Sequence, residues 1–136
     1  MFNSSYYSLV ICRNQFAKCP KKWLVIKETG KRGWWCVGGS VNKGETFLQA
    51  AHRETQEEAG ISINISGVLK IDQSVKNGRN SMRVIFYGEP FSLEESLRLK
   101  SKSDSESEMA DWVSLYDLHK LNFEKELRYE EPLDWA

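Results

Sequence analysis

The apolar positions of this 136-residue chain fall mostly into short runs that predict β-strands. In the first half, such runs cover Tyr6–Cys12, Trp23–Lys27 and Trp34–Val37. The polar stretch Arg13–Lys22, which contains a proline, predicts a connector, and a glycine-containing loop is predicted over Glu28–Gly33. The first half of the chain therefore predicts β-strands up to Val37, after which the spacing of apolar residues changes.

The second half predicts a β-hairpin and one later strand. Gly67–Val75 and Ser81–Gly88 flank the stretch Lys76–Asn80, whose Asn-Gly pair is a strong signal for a two-residue turn. The middle of the return strand is a continuous apolar run, which suits a strand that is covered on both faces. Met109–Leu115 predicts the later strand, with Trp112 turned inward.

Between the two halves, apolar or small residues recur with helical spacing. They form one stripe, which faces the predicted core: Phe47, Ala51, Thr55 and Ala59. Thr46 predicts the helix start, and Gln49 three residues later completes a capping box. Gly60 stands where a helix ends in a left-handed residue.

Three shorter segments are also predicted to be helical: Ser92–Leu97, Tyr116–Lys120 and Phe123–Glu131. The polar stretch Lys100–Glu108 predicts a long loop rather than a linker between domains, because little chain follows it. We therefore expect one domain over residues 1–136. Strands combined with helices predict a layered fold of the α/β or α+β class, and periodicity alone leaves the strand order open.

Composition excludes several classes of protein. Lys+Arg and Asp+Glu both number 19, so the chain lacks the basic excess of a general nucleic-acid binder. No apolar run approaches the roughly 20 residues that a membrane helix needs, and the first residues lack the basic region of a secretory signal. Three cysteines, at positions 12, 19 and 36, do not suggest a disulfide scaffold. We therefore expect a cytoplasmic protein.

The predicted helix carries three acidic residues away from its core-facing stripe. Glu54, Glu57 and Glu58 have the i, i+3, i+4 spacing that places side chains together on one helical face. Clustered carboxylates repel one another, and Arg53 is the cation closest in sequence. A hard divalent cation such as Mg²⁺, which prefers oxygen ligands and often completes its shell with phosphate, would stabilise such a cluster.

The stretch from Gly38 to Ile61 resembles the Nudix box, G-x5-E-x7-R-E-U-x-E-E-x-G-U, where U is a bulky apolar residue. Eight positions match the pattern: Gly39, Glu45, Arg53, Glu54, Glu57, Glu58, Gly60 and Ile61. Thr55 occupies the first apolar position, which is a mild departure. The resemblance implies an αβα sandwich built on a mixed sheet, in which the box forms a loop, a helix and a second loop.

The resemblance also implies an activity and a set of roles. Nudix enzymes hydrolyse a nucleoside diphosphate linked to another group, using water and Mg²⁺ or Mn²⁺. The implied principal metal ligands are Glu57 and Glu58, with the Gly38 carbonyl completing the set and Glu54 as either a further ligand or the general base. Glu54 is the preferred general base among the glutamates. Arg53 is expected to orient a glutamate rather than to touch the substrate, and Glu45 to brace the loop.

Outside the box, an additional acidic metal ligand is expected from Glu106 or Glu108, of which we prefer Glu108. Substrate contacts are expected from Trp34 or Trp35, one of which should face the site and stack on a base, and from Arg83, which would reach a phosphate. Core packing of both tryptophans, a solvated acidic loop and an exposed Arg83 remain alternative interpretations.

Two departures from the family pattern lie beside the glycine pair. Val37 replaces a proline that is common before these glycines, and Asn42 replaces a common glutamate after them. Neither change affects the arginine and glutamates of the box, so we expect activity to survive.

The resulting hypothesis is a metal-dependent pyrophosphohydrolase that acts on a small nucleotide, either an ordinary or an oxidised nucleoside di- or triphosphate. Alternative substrates are diadenosine polyphosphates, diphosphoinositols and nucleotide sugars. A hypothesis of another class is a Nudix module that binds a nucleotide without cleaving it. No nucleic-acid or membrane partner is expected, and the chain is expected to be a monomer or a homodimer.

Overall fold

We describe the chain from a computed structural model that covers residues 3–28, 33–100, 107–126 and 128, with the backbone alone at 107 and 108. In these residues, strands and helices follow one another in this order: β1 (Asn3–Lys18), β2 (Lys21–Glu28), β3 (Trp34–Trp35), β4 (Val37–Ser40), α1 (Phe47–Ala59), β5 (Ile63–Lys76), β6 (Arg79–Pro90), α2 (Leu93–Ser96), β7 (Ser107–Val113) and α3 (Leu115–Phe123).

The described strands form one mixed sheet. Its main path runs β3-β2-β1-β6-β5, while β4 pairs with β1 and β7 pairs with β2. The neighbours β1 and β6 are parallel, and the other pairs are antiparallel. The long strand β1 connects the whole arrangement, because its first half pairs with β6 and β4 and its second half with β2.

Side-chain alternation along the strands divides the core into layers. Val10 of β1 and Val84 of β6 pack in one cluster with Ala51 and Ala59 of α1. On β2, Leu24 and Ile26 belong to the same cluster, whereas Val25 points the other way and packs with Leu118 of α3. Helices therefore cover both faces of the sheet, which confirms the expected αβα sandwich.

Several local predictions are confirmed. Asn77 and Gly78 have φ values of 54° and 75° and form the turn between β5 and β6, as the Asn-Gly signal predicts. Ser92 caps α2, and its side chain accepts a hydrogen bond from the backbone N–H of Glu95. Trp112 packs against the main core cluster, and its indole N–H donates to the carbonyl of Ser96 at 2.8 Å.

The predicted connector over Arg13–Lys22 is wrong for most of its length. Strand β1 continues to Lys18, and Arg13 pairs with Trp23 of β2 across a tight turn at Cys19–Pro20. The polar residues of this stretch hide the strand because the end of β1 extends beyond the core, where most of its side chains are at least partly exposed.

The prediction of a helix over Phe123–Glu131 is also wrong in its described part. Helix α3 ends at Phe123, and Lys125 has a positive φ of 60°. Glu126 accepts a backbone hydrogen bond from Trp34, so the chain leaves the helix to pair with β3. Most of the predicted loops at Glu28–Gly33 and Lys100–Glu108 lie outside the described residues.

No helix in the described part of the chain has the length and apolar character needed to cross a membrane.

The C-terminal end of α1 generates a stability prediction. Gly60 has a φ of 74°, while the nearest neighbour of an added Cβ would be the Lys100 Cβ at 3.6 Å, an ordinary contact. Gly60→Ala should therefore lower the free energy of unfolding by about 1 kcal/mol through backbone strain alone. Chemical denaturation of both proteins measures the difference.

Gly67→Ala is the matched control, because Gly67 has ordinary φ and no neighbour within 4 Å of an added Cβ. The control should leave stability unchanged or slightly higher. Equal losses in both variants would contradict the assignment of strain to Gly60.

Candidate active site

Helix α1 begins and ends as its sequence predicts. The Thr46 hydroxyl accepts from the backbone N–H of Gln49 at 3.0 Å, and the Gln49 side chain accepts from the Thr46 N–H at 2.9 Å. Gly60 ends the helix in the left-handed conformation. Thr55, at the unusual box position, is fully buried, and its hydroxyl donates to the Ala51 carbonyl at 2.8 Å. These contacts fix which face of α1 carries the acids.

The three acidic side chains of α1 have different environments. Glu54 and Glu58 are only 9% and 6% exposed, whereas Glu57 is exposed. Burying an ionised carboxylate is costly unless it receives hydrogen bonds or a positive charge. The surroundings of Glu54 and Glu58 must therefore supply hydrogen bonds or positive charge.

The two glycines of β4 lie between these carboxylates and β1. The backbone N–H of Gly38 donates to Glu58 Oε1 at 2.9 Å. At Gly39, a Cβ would lie 2.5 Å from Glu54 Oε1, so only glycine allows this approach. A Cβ at Gly38 would instead lie 2.7 Å from the Ser8 carbonyl, on the side of β1. β4 thus has no side chains at the two positions where the acids approach it.

Arg53 joins the loop and the acids of the helix. Its Nε and Nη2 donate to the two carboxylate oxygens of Glu45 at 2.7 and 3.0 Å. Its Nη1 donates to Glu54 at 2.9 Å and to Glu57 at 3.1 Å, and Nη2 also donates to the Ser40 carbonyl at 2.9 Å. The hydrogen bonds with Glu45 raise the pKa of Arg53 above its already high ordinary value. Arg53 is therefore a permanent cation within the acidic cluster.

Glu45 holds the glycine loop closed. Besides the two bonds from Arg53, it accepts the backbone N–H of Asn42 at 2.9 Å. The hydrogen bond from Arg53, followed by that from Asn42, lowers the pKa of Glu45. Asn42, which departs from the family pattern, thus contacts Glu45 through its backbone N–H. A glutamate at this position would offer the same N–H.

The chemistry of these donors fits Mg²⁺ or Mn²⁺, which prefer carboxylate and carbonyl oxygens. Because Gly39 has no side chain, the space beside the Glu54 carboxylate is not filled from this position. Among the described residues, however, no three acidic, histidine or cysteine side chains are already gathered around one metal position. In this arrangement Arg53 lies between Glu54 and Glu57 and bonds to both.

Lys100 is a residue that sequence reasoning missed. Its backbone N–H donates to the Ala59 carbonyl and its carbonyl accepts from Ala110, both at 2.9 Å, while its ammonium donates to the Glu57 carbonyl at 3.3 Å. It thereby ties the end of α1 to β7, the strand on which Glu108 lies. The side chains of Glu106 and Glu108 are outside the described part.

The two tryptophans before the glycine pair both pack into the core. Trp35 is 8% exposed and packs with Leu9 and Ile11 of β1 and Ile85 of β6. Trp34 packs against the cluster that includes Leu118 of α3. Trp35 is therefore covered, whereas Trp34 is half-buried and lines a cavity of about 310 Å³, so the stacking of a base on Trp34 stays a prediction.

Arg83 is held by an acid rather than extended into solvent. Its Nε and Nη2 donate to Asp72 at 2.9 and 2.7 Å, and this pair lowers the pKa of Asp72. Both residues line a cavity of about 340 Å³. Its remaining lining residues are Tyr7, Gln73, Ser74 and Ser81. The pairing follows from counting back from the Asn77–Gly78 turn, which places Asp72 opposite Arg83.

Comparison with known proteins agrees with this geometry. A sequence profile of the NUDIX domain matches residues 7–136. The chain belongs to the Nudix family. The glycines of β4, the capped helix and the arginine–glutamate cluster therefore form the box of a Nudix domain.

Among Nudix relatives, a putative Nudix hydrolase 1 from Caenorhabditis elegans is 34% identical over 112 residues, which are 80% of this chain and 28% of that protein. An 8-oxo-dGDP phosphatase from Mus musculus is 32% identical over 92 residues, which are 65% of this chain and 27% of that protein. The chain thus spans about a quarter of the length of these relatives.

The fold also matches a C. elegans Ap4A hydrolase crystallised as a binary complex. The TM-score is 0.70, with 18% sequence identity, and the alignment covers 96% of this chain and 90% of that one. At this identity the match concerns the fold, which is the αβα sandwich described above.

The bonds to Glu45 predict how stability depends on pH. A carboxylate whose pKa is lowered by folding contributes stability above its ordinary pKa of 4.5, and the contribution is lost as pH falls through the lowered value. Glu45→Gln should therefore reduce the melting temperature at neutral pH, and the gap from the parent protein should shrink below about pH 4. Circular dichroism melts from pH 7 to pH 3 measure the gap.

The control is Glu94→Gln, which removes an exposed ion pair with Arg98 at 3.2 Å. Exposed pairs contribute little, so this variant should follow the parent protein at every pH. A gap for Glu45→Gln that stays constant down to pH 3 would refute the charge-dependent role.

Proposed function

We propose that this Nudix domain hydrolyses a phosphoanhydride bond in a small nucleotide, with Mg²⁺ or Mn²⁺ as cofactor. The observation that carries the proposal is the burial of Glu54 and Glu58 against the glycines of β4, with Arg53 bonded within the cluster. An arrangement that surrounds clustered carboxylates with hydrogen-bond donors and a cation, largely out of water, suits the binding of a divalent cation. It has no evident use in a domain that only needs a stable surface helix.

In the proposed mechanism, Glu57 and Glu58 would be the principal metal ligands, together with the Gly38 carbonyl. When bound, the metal offsets the charge of the pyrophosphate and lowers the pKa of the attacking water. Glu54 is the general base that takes the proton from that water. The N–H of Gly38 fixes the direction of the Glu58 carboxylate through a 2.9 Å bond.

Arg53 acts as a positioning residue in this scheme. Its bond to Glu54 Oε1 orients that carboxylate, and its two bonds to Glu45 keep the guanidinium in place. Because Glu45 also binds the loop backbone at Asn42, the orientation of the acids depends on the closed glycine loop. An additional acid from Glu108 would reach the site from β7.

The choice of a nucleoside di- or triphosphate, ordinary or oxidised, is supported by the mouse relative, which is named as an 8-oxo-dGDP phosphatase. It is also supported by the cavity of about 340 Å³ beside Arg83, which has room for part of a small nucleotide. Diadenosine polyphosphates are the second candidate, because the similar fold of the C. elegans Ap4A hydrolase belongs to a protein named for that substrate.

A nucleotide-binding module without activity is the hypothesis of another class. Such a module has no need for a general base or for clustered metal ligands. The complete set of Glu54, Glu57 and Glu58, with Arg53 bonded to two of them, favours the enzyme.

A panel of nucleotides tests the function directly. Purified protein with Mg²⁺ or Mn²⁺ should release phosphate or pyrophosphate from at least one nucleoside di- or triphosphate, including 8-oxo-guanine nucleotides, and chelation of the metal should stop the release. Absence of product across the whole panel would refute hydrolysis. The ranking of kcat/KM over the panel identifies the substrate.

Glu57→Gln tests the metal ligands without a change of size. Its side chain is exposed, so the folded state should persist, while turnover should fall by at least about a hundredfold. Gln56→Ala is the control, because Gln56 is the exposed neighbour of Glu57 and its replacement by alanine leaves the charge unchanged. Full activity of Glu57→Gln at saturating Mg²⁺ would contradict the assignment.

Gly39→Ala tests the clearance in front of Glu54. An added Cβ would lie 2.5 Å from Glu54 Oε1, so the carboxylate must move away from its present position. We expect a loss of kcat of more than about tenfold, because misplacement of a catalytic group by about 1 Å has large effects. Unchanged kcat and unchanged Mg²⁺ dependence would show that the position of Glu54 is unimportant.

A further inference from the structure

The indole of Trp35 is covered by a guanidinium. The Cζ atom of Arg128 lies 5.5 Å from the centroid of the Trp35 ring. Trp35 is 8% exposed, and the Arg128 side chain is 28% exposed. A ligand that approaches Trp35 from solvent therefore meets Arg128.

Two contacts of Arg128 itself and one of Glu126 hold Arg128 in this position. Its Nη1 donates to Glu28 at 2.6 Å, and its backbone N–H donates to the Trp34 carbonyl at 2.8 Å. Two residues earlier, the Glu126 carbonyl accepts from the Trp34 N–H at 2.8 Å. Gly33 permits the approach, because a Cβ there would lie 2.5 Å from the Glu126 carbonyl oxygen. Arg128 thus has a defined orientation over the ring.

The covered ring lies close to the candidate metal ligands. Trp35 precedes Gly38 by three residues, so their Cα atoms are at most about 11 Å apart. A Cβ at Gly38 would collide with the side chain of Leu9, which packs with Trp35, whereas a Cβ at Gly39 would meet Glu54. The backbone of this glycine pair therefore lies between Leu9, which packs with Trp35, and the carboxylate of Glu54.

The same side of the sheet carries the cavity beside Arg83. Tyr7 pairs with Arg83, and Leu9 pairs with Ile85 in the same register. Because alternate residues share a face, Tyr7 and Arg83 lie on the face where Leu9 and Ile85 pack with Trp35. This face, beside the glycine pair, is where we place the base of a nucleotide whose phosphates lie at the pair.

We propose that Arg128 determines base recognition by presenting its guanidinium as the surface on which the nucleobase of the substrate stacks, with Trp35 supporting the guanidinium from behind. This inference rests on the proposed function, because it assumes a nucleotide with phosphates at the Nudix box. A guanidinium is planar and stacks on aromatic rings. A purine, with the larger ring system, gains more from this surface than a pyrimidine.

Glu28 has a separate role in this arrangement. Its bond to Nη1 fixes the rotation of the guanidinium. Glu28 is therefore a positioning residue that acts through Arg128. Replacing it by Gln retains the side-chain shape while weakening the hold on the guanidinium.

The test compares Arg128→Lys and Arg128→Leu with the parent protein. Binding of non-hydrolysable purine and pyrimidine triphosphates is measured by calorimetry, and KM is measured for the same nucleotides and for ribose 5-triphosphate, which lacks a base. We expect both variants to weaken purine binding about tenfold, pyrimidine binding less, and ribose 5-triphosphate hardly at all. Lys fails as a substitute because it keeps the charge without the plane.

Arg98→Leu is the control for loss of an arginine, since Arg98 is an exposed residue paired with Glu94 and Glu95. It should leave all three affinities unchanged. Circular dichroism melts establish that each variant is folded. If Arg128→Leu does not fold, Arg128→Lys together with Glu28→Gln carries the test, and Glu28→Gln should weaken purine binding in the same direction.

Two results would overturn the inference. Equal effects on nucleotides and on ribose 5-triphosphate would place Arg128 at the phosphates or in the structure alone. Tighter purine binding by Arg128→Leu would mean that the base stacks directly on an uncovered Trp35. A parent protein that hydrolyses nothing but binds purines through Arg128 would refute the proposed reaction and leave this inference standing.

Discussion

The packing of two buried carboxylates against the glycine pair of β4 is the constraint on which the rest of this domain depends. Glu54 and Glu58 leave water almost completely, which costs several kcal/mol for each ion unless other groups replace the water. The N–H of Gly38 and the guanidinium of Arg53 are such replacements. Each requires close approach, which glycine at 39 allows on the helix side of the strand and glycine at 38 on the β1 side.

This constraint also explains why the loop before α1 is so strongly tied. Arg53 reaches Glu45 and the Ser40 carbonyl on one side and two helix acids on the other. Arg53 and Lys100 bring two positive charges to four glutamates, counting Glu45, so the cluster keeps a negative excess. Such an excess would favour a divalent cation at the proposed site.

Sequence reasoning succeeded where the determining contacts are local. The caps of α1 at Thr46 and Gly60 and the turn at Asn77–Gly78 depend on residues within a few positions of each other. It failed where distant segments decide the outcome. The polar end of β1 is a strand because β2 pairs with it, and α3 stops early because Glu126 and Arg128 pair with Trp34, about ninety positions away.

The box residues and the residues around the cavity beside Arg83 differ in the same physical way. Gly38 to Ile61 is a continuous stretch whose spacing alone brings an arginine and three glutamates to one helix face. Tyr7, Arg83 and Arg128 lie far apart in the chain and approach one face of the sheet only because β1 pairs with β6 and the C-terminal segment pairs with β3. A substitution at one of these distant positions can alter the shape or charge of that face while the contacts of Arg53 and the glycine pair stay intact. The domain therefore separates the group that would carry out the reaction from the surface that would select its substrate, and a single motif specifies only the first.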